Sequence, residues 1–202
     1  MEKVVLFLTS TIGGLGYFGI VFLMALESSF FPFPSEVVVP PAGFLAAKGE
    51  MNIFLVIIAG ILGSVLGALF NYYIAVKLGR KAVIKYGKYF FISEKKFNQI
   101  EVFFSRHGEI TTFVGRLLPG IRQYISFPAG IARMDMGKFM FYTALGSGIW
   151  VVILAFLGYY VGSNMELIMS KIKIITIVMV PILVAVVWLY VLFSKRLGKG
   201  TL

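Results

Sequence analysis

The sequence predicts an all-α integral membrane protein: an inverted repeat of two re-entrant helical hairpins, each followed by a transmembrane helix. Flanking N- and C-terminal transmembrane helices and a basic amphipathic cytoplasmic segment complete it. Three observations carry this. Of 202 residues, 59% are apolar and 14% charged, against roughly 25% charged in soluble domains. Prolines and charges recur inside the apolar stretches instead of between them. The two halves of the chain also present the same unusual features in the same order. With about 20 residues needed per spanning helix, one domain of about four to six membrane segments fills the length.

The first apolar element runs from about Val4 to Leu26 and is interrupted over Thr9–Gly16, so its firm part is Tyr17–Leu26. Met1–Leu8 is apolar but short, and Thr9, Ser10 and Thr11 follow without a small-residue cleavage pattern, so no cleaved signal peptide is expected. The first hairpin, about 28–47, contains FFPFPSEVVVPPAG. A spanning helix cannot keep its hydrogen-bond ladder through Pro32, Pro34, Pro40 and Pro41. Broken backbone at membrane depth is tolerated only where it is buried in protein or lines a wet cavity. Pro32, Pro34 and Pro41 are therefore read as hairpin breaks.

Lys48, Glu50 and Asn52 return the chain to the surface, and a span from Ile53 to Val76 follows. Its Gly63 and Gly67 form a GxxxG step that allows close helix approach. Over about 79–107 lysines and arginines dominate, as expected of a cytoplasmic segment. Ser93 can cap a helix there whose Phe97, Ile100, Phe103 and Phe104 share a face, with Gly108 as its stop. Such a helix would lie on the inner membrane surface. The second hairpin, about 109–133, is broken at Pro119, Gly120 and Pro128. A span from about Phe139 to Val161, a polar turn to Lys173 and a last span from about Ile174 to Phe193, kinked at Pro181, complete the chain. The basic tail, Lys195, Arg196 and Lys199, shares the cytoplasmic side with the central segment, and both termini are expected there, in a multi-pass protein of the cell membrane.

The repeat is legible in the order of residues. Pro34-Ser35-Glu36, Pro41-Ala42-Gly43, Gly63-Ser64 and Tyr72-Tyr73 are answered by Pro119-Gly120-Ile121-Arg122, Pro128-Ala129-Gly130, Gly146-Ser147 and Tyr159-Tyr160. Inverted repeats with discontinuous helices meeting near the midplane are a transporter architecture.

A formal charge of +10 suits nucleic acid in principle. Here the basic residues sit between apolar segments and at the tail, so no nucleic-acid partner is expected. Without cysteine there is no disulfide, thiolate nucleophile or Cys-based metal site. No metal or cofactor is expected. The single histidine, His107, is read as an interfacial helix-end residue, and Asn71 as a donor between helices.

Four charges resist a surface explanation: Glu27, Glu36, Arg116 and Arg122. Each costs about 2.5–3.5 kcal/mol or more near a bilayer centre, so together they should face one polar cavity. Arg116 and Arg122 lie on either side of the Pro119-Gly120 break, which lets both guanidinium groups turn to one pocket. Paired guanidinium forks suit phosphate oxygens. Glu27 and Glu36 could neutralise them when no anion is bound and, by taking up protons, couple movement to a gradient. The bland reading is a set of static ion pairs joining two hairpins.

Glu27, the proline-rich run ending in Glu36, Gly43, Gly108, Gly115-Arg116-Leu117-Leu118-Pro119-Gly120-Ile121-Arg122, Pro128-Ala129-Gly130, Phe139, Gly146 and Trp150 resemble the DedA family, also called the SNARE-associated or VTT-domain family. The resemblance covers about Tyr17 to Gly162. It implies two facing re-entrant hairpins and movement of lipid phosphates between leaflets, with undecaprenyl phosphate or phosphatidylethanolamine as substrates. It also implies that the family's essential acids fall on Glu27 and Glu36 and its essential arginines on Arg116 and Arg122. The chain departs from the family where many members carry an acid and a Gly-Arg pair, reading Ala68 and Ala75-Val76 instead.

The leading expectation is therefore a flippase for a phosphate-bearing lipid, coupled to protons or Na⁺. A homodimer is compatible with it. The alternative is a proton-coupled exporter of small cations or drugs. An enzyme acting on the same lipid is disfavoured, because the chain has one histidine, placed at a helix end, and no cysteine.

Overall fold

In a computed structural model the described backbone comprises residues 2–29, 35–86, 94–118, 120–162 and, with gaps, 164–188. Among the described residues the regular structure is helical and contains no strand. The chain divides into two units, Met1–Asn164 and Met165–Leu202. In the second, residues 170–178 are helical. They cover the start of the expected last span, whose remainder and basic tail lie largely outside the described residues.

Among its described residues the first unit contains six α-helices: α1 (Glu2–Ser28), α2 (Val39–Ala47), α3 (Ile53–Tyr86), α4 (Glu94–Leu117), α5 (Ser126–Ile131) and α6 (Met136–Val161), with a 3₁₀ turn at Ser35–Val37. α1 is kinked at Gly16, whose φ of 57° and ψ of −137° suit glycine alone. The interruption expected over Thr9–Gly16 is thus a kink at its C-terminal end. α3 is capped by Asn52, whose Oδ1 accepts from the backbone N–H of Phe54 at 2.9 Å. α6 is capped in the same way by Asp135 Oδ1, which accepts from the N–H of Lys138 at 2.9 Å.

Two helix boundaries differ from the sequence reading. α3 continues through the first basic residues to Tyr86, although only Ile53–Lys77 is apolar enough to span a membrane. Helix propensity explains this, since lysine and arginine are good helix formers and a change of solvent does not require a break. α4 likewise runs through Gly108 to Leu117. Gly108 is buried against Phe104 and Met134, not placed as a stop. The amphipathic segment and the first limb of the second hairpin are therefore one helix.

Pro40 and Pro41 also act differently from an interruption. They lie in the first turn of α2, where their missing N–H groups lose nothing. Pro128 has a similar place near the start of α5. Pro32, Pro34 and Pro119 lie outside the described residues. Gly120, with φ of 79°, falls in the turn between α4 and α5.

Packing repeats between the halves. α1 packs on α3, and α4 on α6. The short helices exchange partners: α2 packs on α6, and α5 on α3. Small residues make each crossing. A Cβ at Gly63 or Gly67 would collide with the carbonyls of Val21 or Ala25 on α1. One at Gly43 would strike the Ala155 carbonyl, and one at Gly158 the Pro40 carbonyl. Ala75 is buried, with its Cβ against Gly130.

The outer face is apolar. On α3, Phe54, Ile58, Leu62, Leu66 and Phe70 are exposed at four-residue spacing, while Ser64 and Asn71 are buried. On α6, Phe141, Leu145 and Ile149 are exposed, while Thr143 and Ser147 are buried. Large apolar stripes outside with polar groups inside suit lipid as the surrounding solvent. Together with the spans Ile53–Lys77 and Met136–Val161, this is the organisation of an integral membrane protein.

Candidate functional site

The four charges singled out in the sequence meet where the α1–α2 and α4–α5 connections come together. Glu27 occupies the last turn of α1, and Gly67 lets that turn sit against α3, since a Cβ there would meet Ala25 O and Ser28 Cβ. Arg116 holds the matching place in the last turn of α4, and Gly146 lets it sit against α6, where a Cβ would meet Arg116 Cβ at 2.7 Å. Glu36 lies in the 3₁₀ turn before α2. Arg122 lies in the turn before α5.

Arg122 is the hub. Its Nη2 lies 3.0 Å from Glu27 Oε1 and 3.2 Å from Glu36 Oε2, and it donates to both Glu36 oxygens. The Glu27 contact is a charge pair without hydrogen-bond alignment, since Oε1 has no hydrogen-bond donor. Glu27 Oε2 accepts from Ser28 Oγ at 2.9 Å. The Arg122 guanidinium also lies over the Trp150 ring, 5.8 Å from its centroid.

Arg116 is paired differently. Its Nη2 donates to Ser126 Oγ at 2.7 Å, and it makes no ion pair within 4 Å among the described residues. Glu27 and Arg116 are each 2% exposed. Ions removed from water to that extent are costly unless another charge answers them. Two carboxylates against two guanidinium groups make the cluster neutral overall. One carboxylate pair converges on Arg122, leaving Arg116 as the cation with spare capacity.

Glu27, Arg116 and Arg122 line a small cavity together with Ser35, Ser147 and Trp150. Its water-accessible space of about 10 Å³ is the room of about one water molecule. A phosphate does not fit there without the turns moving apart.

Sequence reasoning gives three contributors little weight. Ser126 and Ser28 hold the charged side chains, and serine inside an apolar helix gives no distinctive signal. Trp150 forms the floor beneath Arg122 and stands out in the sequence only as part of a family pattern. Asn71, expected as a donor between helices, does more: its Nδ2 donates to Ser28 O at 3.1 Å and Gln123 O at 3.3 Å, tying both turns to α3. His107 stands away from this cluster, its ring stacked on Phe103 at 5.1 Å.

Residues 33–160 match the VTT domain. The chain belongs to the VTT-domain, or DedA, family. Among its relatives, the membrane protein YkoX of Bacillus subtilis is 36% identical over 203 residues, covering 100% of this chain and 89% of that protein. Undecaprenyl phosphate transporter A of Bacillus subtilis is 32% identical, covering 90% of each chain. A protein of Lactococcus lactis subsp. cremoris called alkaline phosphatase-like is 38% identical over 83% of this chain and 81% of its own length. No solved structure matches. The VTT-domain match takes in Glu36, Arg116, Arg122 and Trp150, and the longer alignment to YkoX extends over Glu27 as well.

Proposed function

We propose that this VTT-domain protein moves a phosphate-bearing lipid between membrane leaflets. The two helix–turn–helix units act as re-entrant hairpins entering from opposite faces, and their turns form the headgroup site. Arg116 and Arg122 take the phosphate, while Glu27 and Glu36 hold Arg122 when no phosphate is bound. Lipid tails stay in the bilayer alongside the apolar faces of α3 and α6. The carrying observation is Arg116: a buried guanidinium that lacks a carboxylate within ion-pair distance among the described residues, beside a second guanidinium held by two. Two relatives named undecaprenyl phosphate transporter A agree with a lipid carrier as substrate class.

The cavity is too small for the headgroup, so binding includes separation of the turns. Protonation of Glu27 or Glu36 would weaken the hold on Arg122 and favour that opening, which couples lipid movement to protons.

The experiment is a leaflet-sidedness assay in proteoliposomes. Fluorescent prenyl monophosphate or phosphatidylethanolamine is placed in one leaflet, with and without a pH gradient. The expected result is protein-dependent exchange of the phosphate lipid that responds to the gradient. Transport of a soluble cation with no lipid movement would instead indicate an exporter. Release of inorganic phosphate would indicate hydrolysis.

A further inference from the structure

The cavity carries an imbalance that two arginines alone do not use. Ser35 Oγ, Arg116 Nε, Arg122 Nε and Trp150 Nε1 are buried without hydrogen-bond partners, and all four residues line this one cavity. Every one of these atoms can donate, and the guanidinium and indole nitrogens can do nothing else. Buried donors are seldom left unmade, and the exceptions call for an explanation. Neighbouring acceptors are engaged with one exception, Glu27 Oε1, which has no hydrogen-bond donor but lies 3.0 Å from Arg122 Nη2. Glu36 accepts from Arg122, Glu27 faces Arg122 and Ser28, and Ser126 accepts from Arg116. Ser147 directs its hydroxyl to the Thr143 carbonyl at 2.8 Å.

Trp150 and Ser35 are 3% and 1% exposed, so bulk water does not serve them. They reach the cavity from opposite halves, Trp150 from α6 and Ser35 from the turn before α2. Arg122 lies over the Trp150 ring and holds the indole beside the charged cluster.

We propose that Trp150 Nε1–H and Ser35 Oγ–H complete the phosphate site, adding two donors to the two guanidinium groups in a cage that selects a phosphate monoester. This rests on the phosphate reading above and adds its selectivity. A monoester presents three terminal oxygens and no donor in its charged form. A phosphoethanolamine headgroup brings fewer terminal oxygens for these donors, and its ammonium group would have to compete with Arg122 for Glu27 and Glu36. An indole N–H is a single, directional donor of the kind that rejects a ligand unable to meet it.

The test is binding of farnesyl monophosphate to purified protein in detergent, with farnesol and inorganic phosphate as separate arms. The chain has two tryptophans, so Trp188→Phe leaves Trp150 as the sole indole reporter. Farnesyl monophosphate is expected to shift Trp150 emission, and farnesol is not. Trp150→Phe keeps the ring and removes the N–H, and is expected to weaken monophosphate binding roughly tenfold or more, the scale of a hydrogen bond to a charged group. Ser35→Ala removes the other donor with almost no change in packing and is expected to weaken binding several-fold. Wild-type affinity in both variants would overturn the cage. If Arg116→Lys alone lost binding, the arginine site would survive without these donors. If the wild type bound no farnesyl monophosphate, the phosphate reading would fall together with the cage. Equal, competing affinity for inorganic phosphate would reassign the cage to the free ion and overturn its selection of a lipid.

Discussion

Arg122 and Arg116 sit in one cavity but are held in different ways, and that difference makes separate variants informative. Arg122 answers both Glu27 and Glu36. Arg122→Ala would strand two carboxylates, and removing one member of a buried ion pair typically costs about 3–5 kcal/mol. The expected outcome is a large fall in melting temperature in detergent. Glu36→Gln, which leaves the Glu27 contact in place, should cause a smaller fall. Equal falls would mean that the carboxylates do not share Arg122. Asn71 gives a second expectation at this scale. Its amide bridges the Ser28 and Gln123 carbonyls, so Asn71→Ala should destabilise the protein by about 1–3 kcal/mol. Limited proteolysis should then show the turns opening together.

The site was partly legible in the sequence for the same physical reason. Charge inside apolar chain is rare because it is costly, so Glu27, Glu36, Arg116 and Arg122 stood out before any fold was known. Ser28, Ser126 and Trp150 did not, since serine and tryptophan are ordinary in membrane helices. Their importance lies in which charged group each one touches, Ser28 on Glu27, Ser126 on Arg116 and Trp150 beneath Arg122, and residue type alone does not announce those contacts.

At the scale of elements, the crossings rest on carbonyls meeting glycines. Gly158→Ala and Gly43→Ala drive a methyl group into opposing backbone, which cannot swing aside as a side chain could. Each is expected to destabilise by about 1–3 kcal/mol. Gly14→Ala, with open space around its Cβ position, should be neutral or slightly stabilising. Similar effects at all three positions would refute this packing.

The contact between α4 and α6 adds a pH expectation. Glu109 Oε1 accepts from Lys138 Nζ at 2.6 Å, and its other oxygen accepts from Tyr142 OH at 3.0 Å. These hydrogen bonds hold the Glu109 carboxyl below its ordinary value of about 4.5, the Lys138 bond contributing most. A carboxylate so lowered stabilises the fold above its unfolded value, and that contribution is lost as pH falls through the folded value. The difference in melting temperature between wild type and Glu109→Gln should therefore be small but constant near neutrality, and vanish as pH drops below about 4.5. A difference that grows in acid would contradict the assignment.

Helix ends were the least legible part. The apolar span was expected to end at Val76, yet α3 continues to Tyr86 because leaving the apolar layer does not cost a helix its hydrogen bonds. Gly108 suggested a stop, yet α4 buries it against Met134 and continues. Apolar stretches report where lipid begins, and they do not report where backbone pairing ends.

For the whole molecule, the exchange of short helices is what makes one site from two halves. α2 is placed by α6 and α5 by α3, so neither half can set its turn without the other. The repeated order of residues suggested two related halves. The exchange itself was not legible, because it depends on contacts between segments far apart in the chain, such as Gly43 with Ala155 and Gly130 with Tyr72. Glu27 and Arg116 take corresponding places, each in the last turn of a helix held close by a glycine on the following long helix. Opposite charges at corresponding positions let the two turns attract each other across the cavity.

The central claim is that buried guanidinium groups recognise a lipid phosphate, and Arg116→Lys tests it most directly. The variant keeps the charge and gives up the planar fork. In the proteoliposome sidedness assay with a prenyl monophosphate, the account predicts a loss of exchange of tenfold or more while the protein stays folded and monodisperse. Exchange at the wild-type rate would contradict it.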